Sequence, residues 1–344
     1  MSRQNKILLL TAAAFLSLTA GICVGSVAIS PSAIAHVFAN KLFGTALPAD
    51  FPAVYPGLVW SIRLPRVLLA FLVGAGLAVS GAVMQSVLKN PLASSFGLGV
   101  SSGAGLGAAV MMVFGLGGGL LGTLLLPVVC LVCGFLSVVL AMAFAQKIDR
   151  SLSNNTIILT GMVLSLFLNA IMTTLAASSP DNTRRIMLWQ LGSFSTREWK
   201  HVFPVAVVVP VCVLFFLSLH RELDLMTFGE EQAASIGVNL KRVKWLLIGG
   251  VSLLTGTCVA FVGIIGFVDL ITPHIVRRFF GPTHRGLIPL SALFGGTFMV
   301  ICDLAARTLA SPSEIPIGSI TALIGAPFFI YVFLMSRKKE GAAC

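Results

Sequence analysis

The chain is 344 residues long, 57% hydrophobic and 10% charged, with a mean hydropathy of +0.98. Soluble domains carry about 25% charged residues, so the composition excludes one and describes a multispan membrane protein. The formal net charge of +11 does not mark a nucleic-acid binder, because the basic residues punctuate apolar runs and form no single patch.

The first apolar run, Ile7 to Ile29, imitates a signal peptide but exceeds the roughly 7–15 residues of a secretory h-region. Ile22 before Cys23 also spoils a lipoprotein site, so this span is read as retained. Further runs long enough to cross a bilayer fall near 67–88, 96–114, 120–145, 156–177, 202–219, 287–305 and 317–335. Gly99, Gly103 and Gly107 recur on one face of the third span, a seam for close helix contact. Gly117, Gly119 and Gly122 satisfy GxGxxG without a preceding strand and carry no dinucleotide reading. Cys130 and Cys133 form a CxxC in mid-span without nearby polar ligands, and most of the seven cysteines lie in apolar runs; they read as small hydrophobes.

His220 to Trp245 is the longest polar interruption in the second half, and it holds Glu222, Asp224, Glu230 and Glu231, a third of the twelve acidic residues. Thr227 followed by Glu230 has the spacing of a capping box. Glu230 and Glu231 suit the positive end of a helix dipole, Ala233 and Ala234 favour helix, and Gly237 suits its left-handed end. Asn239 then caps the next helix. The stretch reads as a short helix held between two spans, either a docking surface or a solvated connector.

The segment from Trp245 to Arg278 has 34 residues, too long for one span and short for two of about 20. Lys241, Arg242 and Lys244 precede it while Arg277, Arg278 and Arg285 follow it, and the positive-inside rule puts both clusters in the cytoplasm. The segment therefore crosses twice or enters and returns, as two short helices broken near Gly263, Gly266, Asp269 and Pro273. Counting both gives about ten transmembrane helices with cytoplasmic N and C termini. Fifteen basic residues then lie inside and eight outside. The chain has no GxxxxGK[ST] and no HExxH, so if ATP drives it, another chain binds the nucleotide.

Several stretches together resemble the permease subunits of ABC importers for iron-siderophores, haem and cobalamin. They are RLPR at 63–66, GAGLAVSGAVMQSVLKNPLASSFGLGVSSGAGLGA at 74–108, GEEQAASIGV at 229–238, TPHIVRRFFGPTHR at 272–285 and DLAARTLASPSEIPIGSITALIGAPFFIY at 303–331. The resemblance implies an all-α, polytopic, BtuC-like permease fold, a single domain over 1–344 with a cytoplasmic coupling loop at 220–244, in the bacterial inner membrane. It implies transport of an iron chelate or cobalamin by alternating access, without catalysis and without a cofactor or metal on this chain. The implied partners are a second permease subunit, read as a homodimer, two ATPase subunits carrying ATP and Mg, and an extracytoplasmic binding protein.

The resemblance also assigns residues. Thr227, Gly229, Glu230, Glu231, Ala233, Ala234 and Gly237 would couple to the ATPase. Arg63, Arg66 and Arg307 would dock acidic residues of the binding protein, against the plainer readings that they snorkel or that Asp303 and Arg307 pair as i,i+4 neighbours. Asn90, Leu92, Ser153 and Asn154 would form a cytoplasmic gate, against an ordinary turn and helix caps. Asn169, Thr173 and Thr174 of span five would line the pathway together with span ten. Asp269 departs from the glycine of the family's GFVGL-type stretch and reads as an intramembrane functional acid or as the cap of the short helix through His274, itself read as a packed polar residue. The alternative is a stand-alone secondary transporter or channel. Such proteins usually carry several acids within their spans, whereas here the candidates are Asp269 and Asp303, and the coupling loop would be surplus.

Overall fold

The computed structural model describes residues 2–25, 27–116 and 122–341, with backbone alone for 122–123 and 332–341. Gly117, Gly119, Cys344 and the side chains of Arg337, Lys338 and Lys339 lie outside the described residues. Every regular element among the described residues is helical. In chain order these are α1 (Arg3–Cys23), α2 (Pro31–Phe43), α3 (Tyr55–Gly57), a π-helical turn (Leu58–Arg63) and α4 (Leu64–Val87). A 3-10 turn (Ser95–Leu98) leads to α5 (Val100–Val113), α6 (Gly122–Ile148), α7 (Asn154–Ala177), α8 (Pro180–Gln190) and α9 (Trp199–Ser218). The chain ends with α10 (His220–Phe228), α11 (Glu230–Ser235), α12 (Leu240–Val262), α13 (Val268–Phe280), α14 (His284–Thr308) and α15 (Ile317–Gly341).

Among the described residues seven helices are long and apolar enough to cross a membrane: α1, the continuous helix Tyr55–Val87, Leu124–Ile148 of α6, α7, α9, α12 and α14. Val100–Val113 and Ile317–Tyr331 are shorter apolar helices, and the 13-residue α13 occupies the place of the remaining expected segment. At 1.5 Å per residue α13 reaches only about 20 Å, against a hydrocarbon thickness of about 30 Å.

The paired limbs over 245–278 differ from the two short helices expected. Asn239 accepts a bond from the Arg242 amide at 3.1 Å, so α12 starts at Leu240 and takes the basic cluster into its first turns. It is a full 23-residue span, and only α13 is short. Between them the backbone turns at Gly263, whose φ of +82° is left-handed, and a β-carbon there would strike the carbonyl of Trp189. The Val262 carbonyl left free by the break accepts from the Ser193 amide at 2.8 Å. The amides of Ile317 and Gly318 bond the carbonyls of Gly192 and Leu191 at 3.3 and 3.0 Å. The carbonyl freed by the break is thus satisfied by protein, as non-helical backbone at such a place requires.

The sequence reading misses α2 and α8, which are too short to span. Their signal was available: Pro31 and Pro180 occupy first helical positions, and Ser30 accepts from the Ala33 amide at 3.2 Å.

α4 is buried along nearly its whole length and forms the axis of the bundle. Its small residues let three helices touch its backbone. Gly74 meets the backbone of Gly295 in α14, Gly76 meets Cys258 in α12, and Gly81 meets the carbonyl of Asp269 in α13. The Gly99, Gly103 and Gly107 stripe is the expected seam, packed on Cys133 and Ser137 of α6. By contrast, only 17% of the α7 span is buried, with Leu159, Met162, Val163, Leu166 and Phe167 exposed.

These contacts rank the glycines. Gly81→Ala, which puts a methyl onto the Asp269 carbonyl, is expected to destabilise the purified protein by about 1–3 kcal/mol. Gly249→Ala, with nothing within 4 Å, is expected to stabilise by about 0.5–1 kcal/mol. Unfolding followed in detergent or nanodiscs checks the opposite signs.

Candidate functional site

The loop joining α9 to α12 folds into α10 and α11, separated at Gly229. The expected capping box does not form. α10 continues past Thr227, so its hydroxyl donates back to the Asp224 carbonyl at 2.6 Å, and the N-cap position of α11 falls on Gly229. The freed Glu230 carboxylate reaches Lys244 in α12 instead, at 2.9 Å. Gly237 does end the helix, with φ +96°. Ala233 is buried, while Phe228 and Ile236 are 76% and 67% exposed at the edges of an open cavity of about 290 Å³ between α10 and α11. Glu231 and Ala234 are also exposed.

From α10 a chain of buried polar groups runs into the bundle. The Asp224 carboxylate accepts from the His284 amide at 2.9 Å and lies 2.6 Å from its Nδ1. His284 Nε2 is 2.6 Å from the hydroxyl of Ser86 in α4. Arg277 of α13 donates to that hydroxyl at 3.2 Å, to the Ala82 carbonyl at 3.1 Å and to the side-chain oxygen of Gln85. Gln85 in turn donates to the Asp269 and Leu270 carbonyls at 3.4 and 3.3 Å.

Asp269 is completely buried and neither caps α13 nor joins the pathway residues. Its Oδ2 accepts from the hydroxyls of Ser94 and Ser95 at 2.5 and 3.2 Å and from the Ser95 amide at 3.1 Å. The acid therefore holds the turn that follows Asn90. His274 stacks edge-on against Phe328 at 6.3 Å, the packed role expected of it.

Asn90 makes the plainer turn: its Oδ1 accepts from the Leu92 amide at 2.9 Å, and Leu92 is 48% exposed. Beyond it the 3-10 turn packs through Gly97 and Leu98 onto Gly161 of α7. Ser153 precedes α7, but its hydroxyl pairs with the Thr156 hydroxyl at 2.9 Å and makes no cap bond; Asn154 Oδ1 is buried without a partner. The turn before them is held by Asp149. Bonds from Ser151 and Ser153 hold its carboxyl well below the usual carboxylate range. Asn169, Thr173 and Thr174 lie exposed on α7, the two hydroxyls bonded back to the carbonyls of Asn169 and Ala170 at 2.7 and 2.9 Å.

At the opposite end the three arginines are committed inside the protein. Arg63, 4% exposed, donates to the carbonyls of Ile22, Cys23 and Val27 and closes the end of α1. Arg66 grips Asp303 at 2.8 Å and Glu314 at 2.6 Å. Arg307 bonds the Gly21 carbonyl and approaches Asp303 at 3.6 Å, so the expected i,i+4 pair exists but is the looser of the two. They form no free cationic surface. Beside them Arg66, Arg197 and Glu314 line an open cavity of about 370 Å³.

Sequence reasoning does not pick out the buried polar line of Gln85, Ser86, Arg277 and His284, nor the buried Lys244. Arg277 and Lys244 enter it as topology charges, and nothing in local spacing announces a partner 198 residues away, as between Ser86 and His284. Among the described residues no group of three or more His, Cys, Asp and Glu side chains is placed to hold a metal.

Comparison with known proteins agrees with this architecture. The FecCD transport family matches residues 9–335. The chain is 35% identical to the Fe(3+)-citrate import system permease of Bacillus subtilis, over 92% of this chain and 91% of that protein. It is 39% identical to the vitamin B12 import system permease of Yersinia enterocolitica, over 82% of each. A solved metal-chelate type ABC transporter in an inward-facing conformation superposes with a TM-score of 0.82 at 33% identity, covering 96% of this chain and 99% of the other.

Asp269→Gly removes an acceptor of three bonds. Amide exchange at Ser95–Leu98 should then open by about 1.5–3 kcal/mol, with exchange in α12 unchanged. Mass-spectrometric hydrogen exchange measures both.

Proposed function

The chain belongs to the FecCD transport family and is a multi-pass ABC importer permease; we propose that it is the subunit through which an iron chelate, siderophore or haem, or a cobalamin enters the cell by alternating access. The observation that carries this reading is α10–α11, a short helix pair presenting Phe228, Ile236 and an open groove beyond the bundle. An ATPase subunit would seat there through Thr227, Gly229, Glu230, Glu231, Ala233, Ala234 and Gly237, and ATP and Mg would sit on that partner. This end, with both termini, would face the cytoplasm across the bacterial inner membrane.

The exposed face of α7 supports a homodimer. Two copies would enclose a path lined by Asn169, Thr173 and Thr174 together with α15, whose Leu323, Ile324, Ile330 and Tyr331 are exposed. Exposed apolar and small polar groups of this kind suit a bulky chelate or corrin ring, the class named for the iron-citrate and vitamin B12 relatives. Asn90 and Leu92 on one turn and Ser153 and Asn154 on the other would close the path from the cytoplasm. They can part without stranding a charge.

At the opposite end, the binding protein's acidic residues would compete with Glu314 for Arg66. Arg63 and Arg307 would keep α1 in place beneath the docked lobe. Charge exchange of this sort steers encounter and fixes register more than it adds affinity.

The reading is tested by reconstituting the chain with its ATPase and binding protein in vesicles. Uptake of the bound chelate should need ATP, and gradient-driven uptake by this chain alone would establish the secondary-transporter alternative. Within the same assay Ala233→Pro removes the bond from the Ala233 amide to the Gly229 carbonyl and breaks α11, at a local cost of about 3 kcal/mol. ATP-dependent uptake should be lost while the spans stay folded.

A further inference from the structure

Lys244 has no accessible surface, although its neighbours Lys241 and Arg242 are exposed. Its ammonium donates to the Leu152 carbonyl at 2.6 Å and to Glu230 at 2.9 Å. Leu152 is itself fully buried and left-handed, with φ +57°, a conformation that non-glycine residues adopt uncommonly. It belongs to the Asp149-bound turn that opens α7, and the next residue of α12, Trp245, ties that region again through Gln146 of α6 at 3.1 Å. One ammonium therefore fastens α11, α12 and the turn before Asn154.

Topology does not require this burial, because Lys241 and Arg242 already supply exposed positive charge at that end. Nor does stability, since an apolar pair of similar volume commonly serves a fold as well as a buried ion pair. What the lysine adds is an obligation. With no surface exposed to solvent, its ammonium cannot release one acceptor without leaving a buried charge underbonded. Glu230, with 28% of its side chain exposed, can follow a partner that moves α11; Leu152, fully buried, must follow the lysine.

We propose that Lys244 is a positioning residue that converts displacement of α11 into displacement of the turn Asp149–Ser153 and so of the start of α7. The proposal rests on α10–α11 being the ATPase seat, and it names the linkage by which that seat reaches the path.

The experiment measures uptake and ATP hydrolysis in the same vesicles for the assembled complex, together with its melting temperature. In Lys244→Met, uptake per ATP hydrolysed should fall about tenfold or more, and Lys244→Arg, which keeps both donations, should recover most of it. A lowered melting temperature with an unchanged ratio in Lys244→Met overturns the proposal. Should Lys244→Met fail to assemble, Glu230→Gln weakens the same linkage from its part-exposed end; the ratio should again fall, and an unchanged ratio overturns the proposal. Spin labels at the exposed Arg150 and Gln232 read the linkage in the permease without transport. One narrow distance in the wild type that broadens in Lys244→Met supports it, and equal widths overturn it even if the importer reading itself has failed.

Discussion

Backbone that leaves the helical ladder inside a membrane needs hydrogen-bond partners within the protein, and the turn after Val262 has such a partner for the carbonyl it frees. Ser193 takes the Val262 carbonyl, and the opening of α15 takes the carbonyls of Leu191 and Gly192. Three distant stretches are thereby tied together. α13 can begin there only because the turn is covered, and it can lie close to α4 only because position 81 lacks a side chain. The start of the short helix and its close approach to α4 at position 81 both depend on how that break is accommodated.

The two ends of the bundle use charge differently. Around Asp303, arginines from α4, the turn before it and α14 meet a carboxylate and helix-terminal carbonyls, so α1, α4 and α14 are fastened by groups that answer one another directly. At the α10–α11 end the polar groups form lines. One passes from Asp224 through His284, Ser86, Arg277 and Gln85 to the backbone beside Asp269, and another passes from Glu230 through Lys244 to Leu152. Buried polar lines are poor sources of stability, because desolvation offsets most of their attraction. Their distinctive property is that each member fixes where the next must be.

The spans were legible because hydropathy is a property of contiguous residues. Both basic clusters do return to one end, as the charge rule required: Lys244 meets Glu230 and His284 meets Asp224 in the same loop. The start of α12 was obscured because three basic residues sit inside its first turns, and the cap that sets it, Asn239, was visible for what it was. Thr227 and Glu230 satisfied a spacing rule, yet tertiary contacts extended α10 through the threonine and drew the glutamate to a lysine. Asp269 stood out by its type alone, whereas Ser94 and Ser95, 175 and 174 residues away, could not be paired with it from local pattern. The arginines at 63, 66 and 307 were conspicuous as outward charges, and only packing reveals how little of them faces outward.

Gly74 and Gly295 bring α4 and α14 together backbone to backbone. Helices that meet through side chains can slip past one another as rotamers hop, which gives the joint a soft coordinate. Where backbone meets backbone that coordinate is largely lost. A change of shape in this protein is therefore easier to place in lightly packed α7 and the turns that hang it than between α4 and α14.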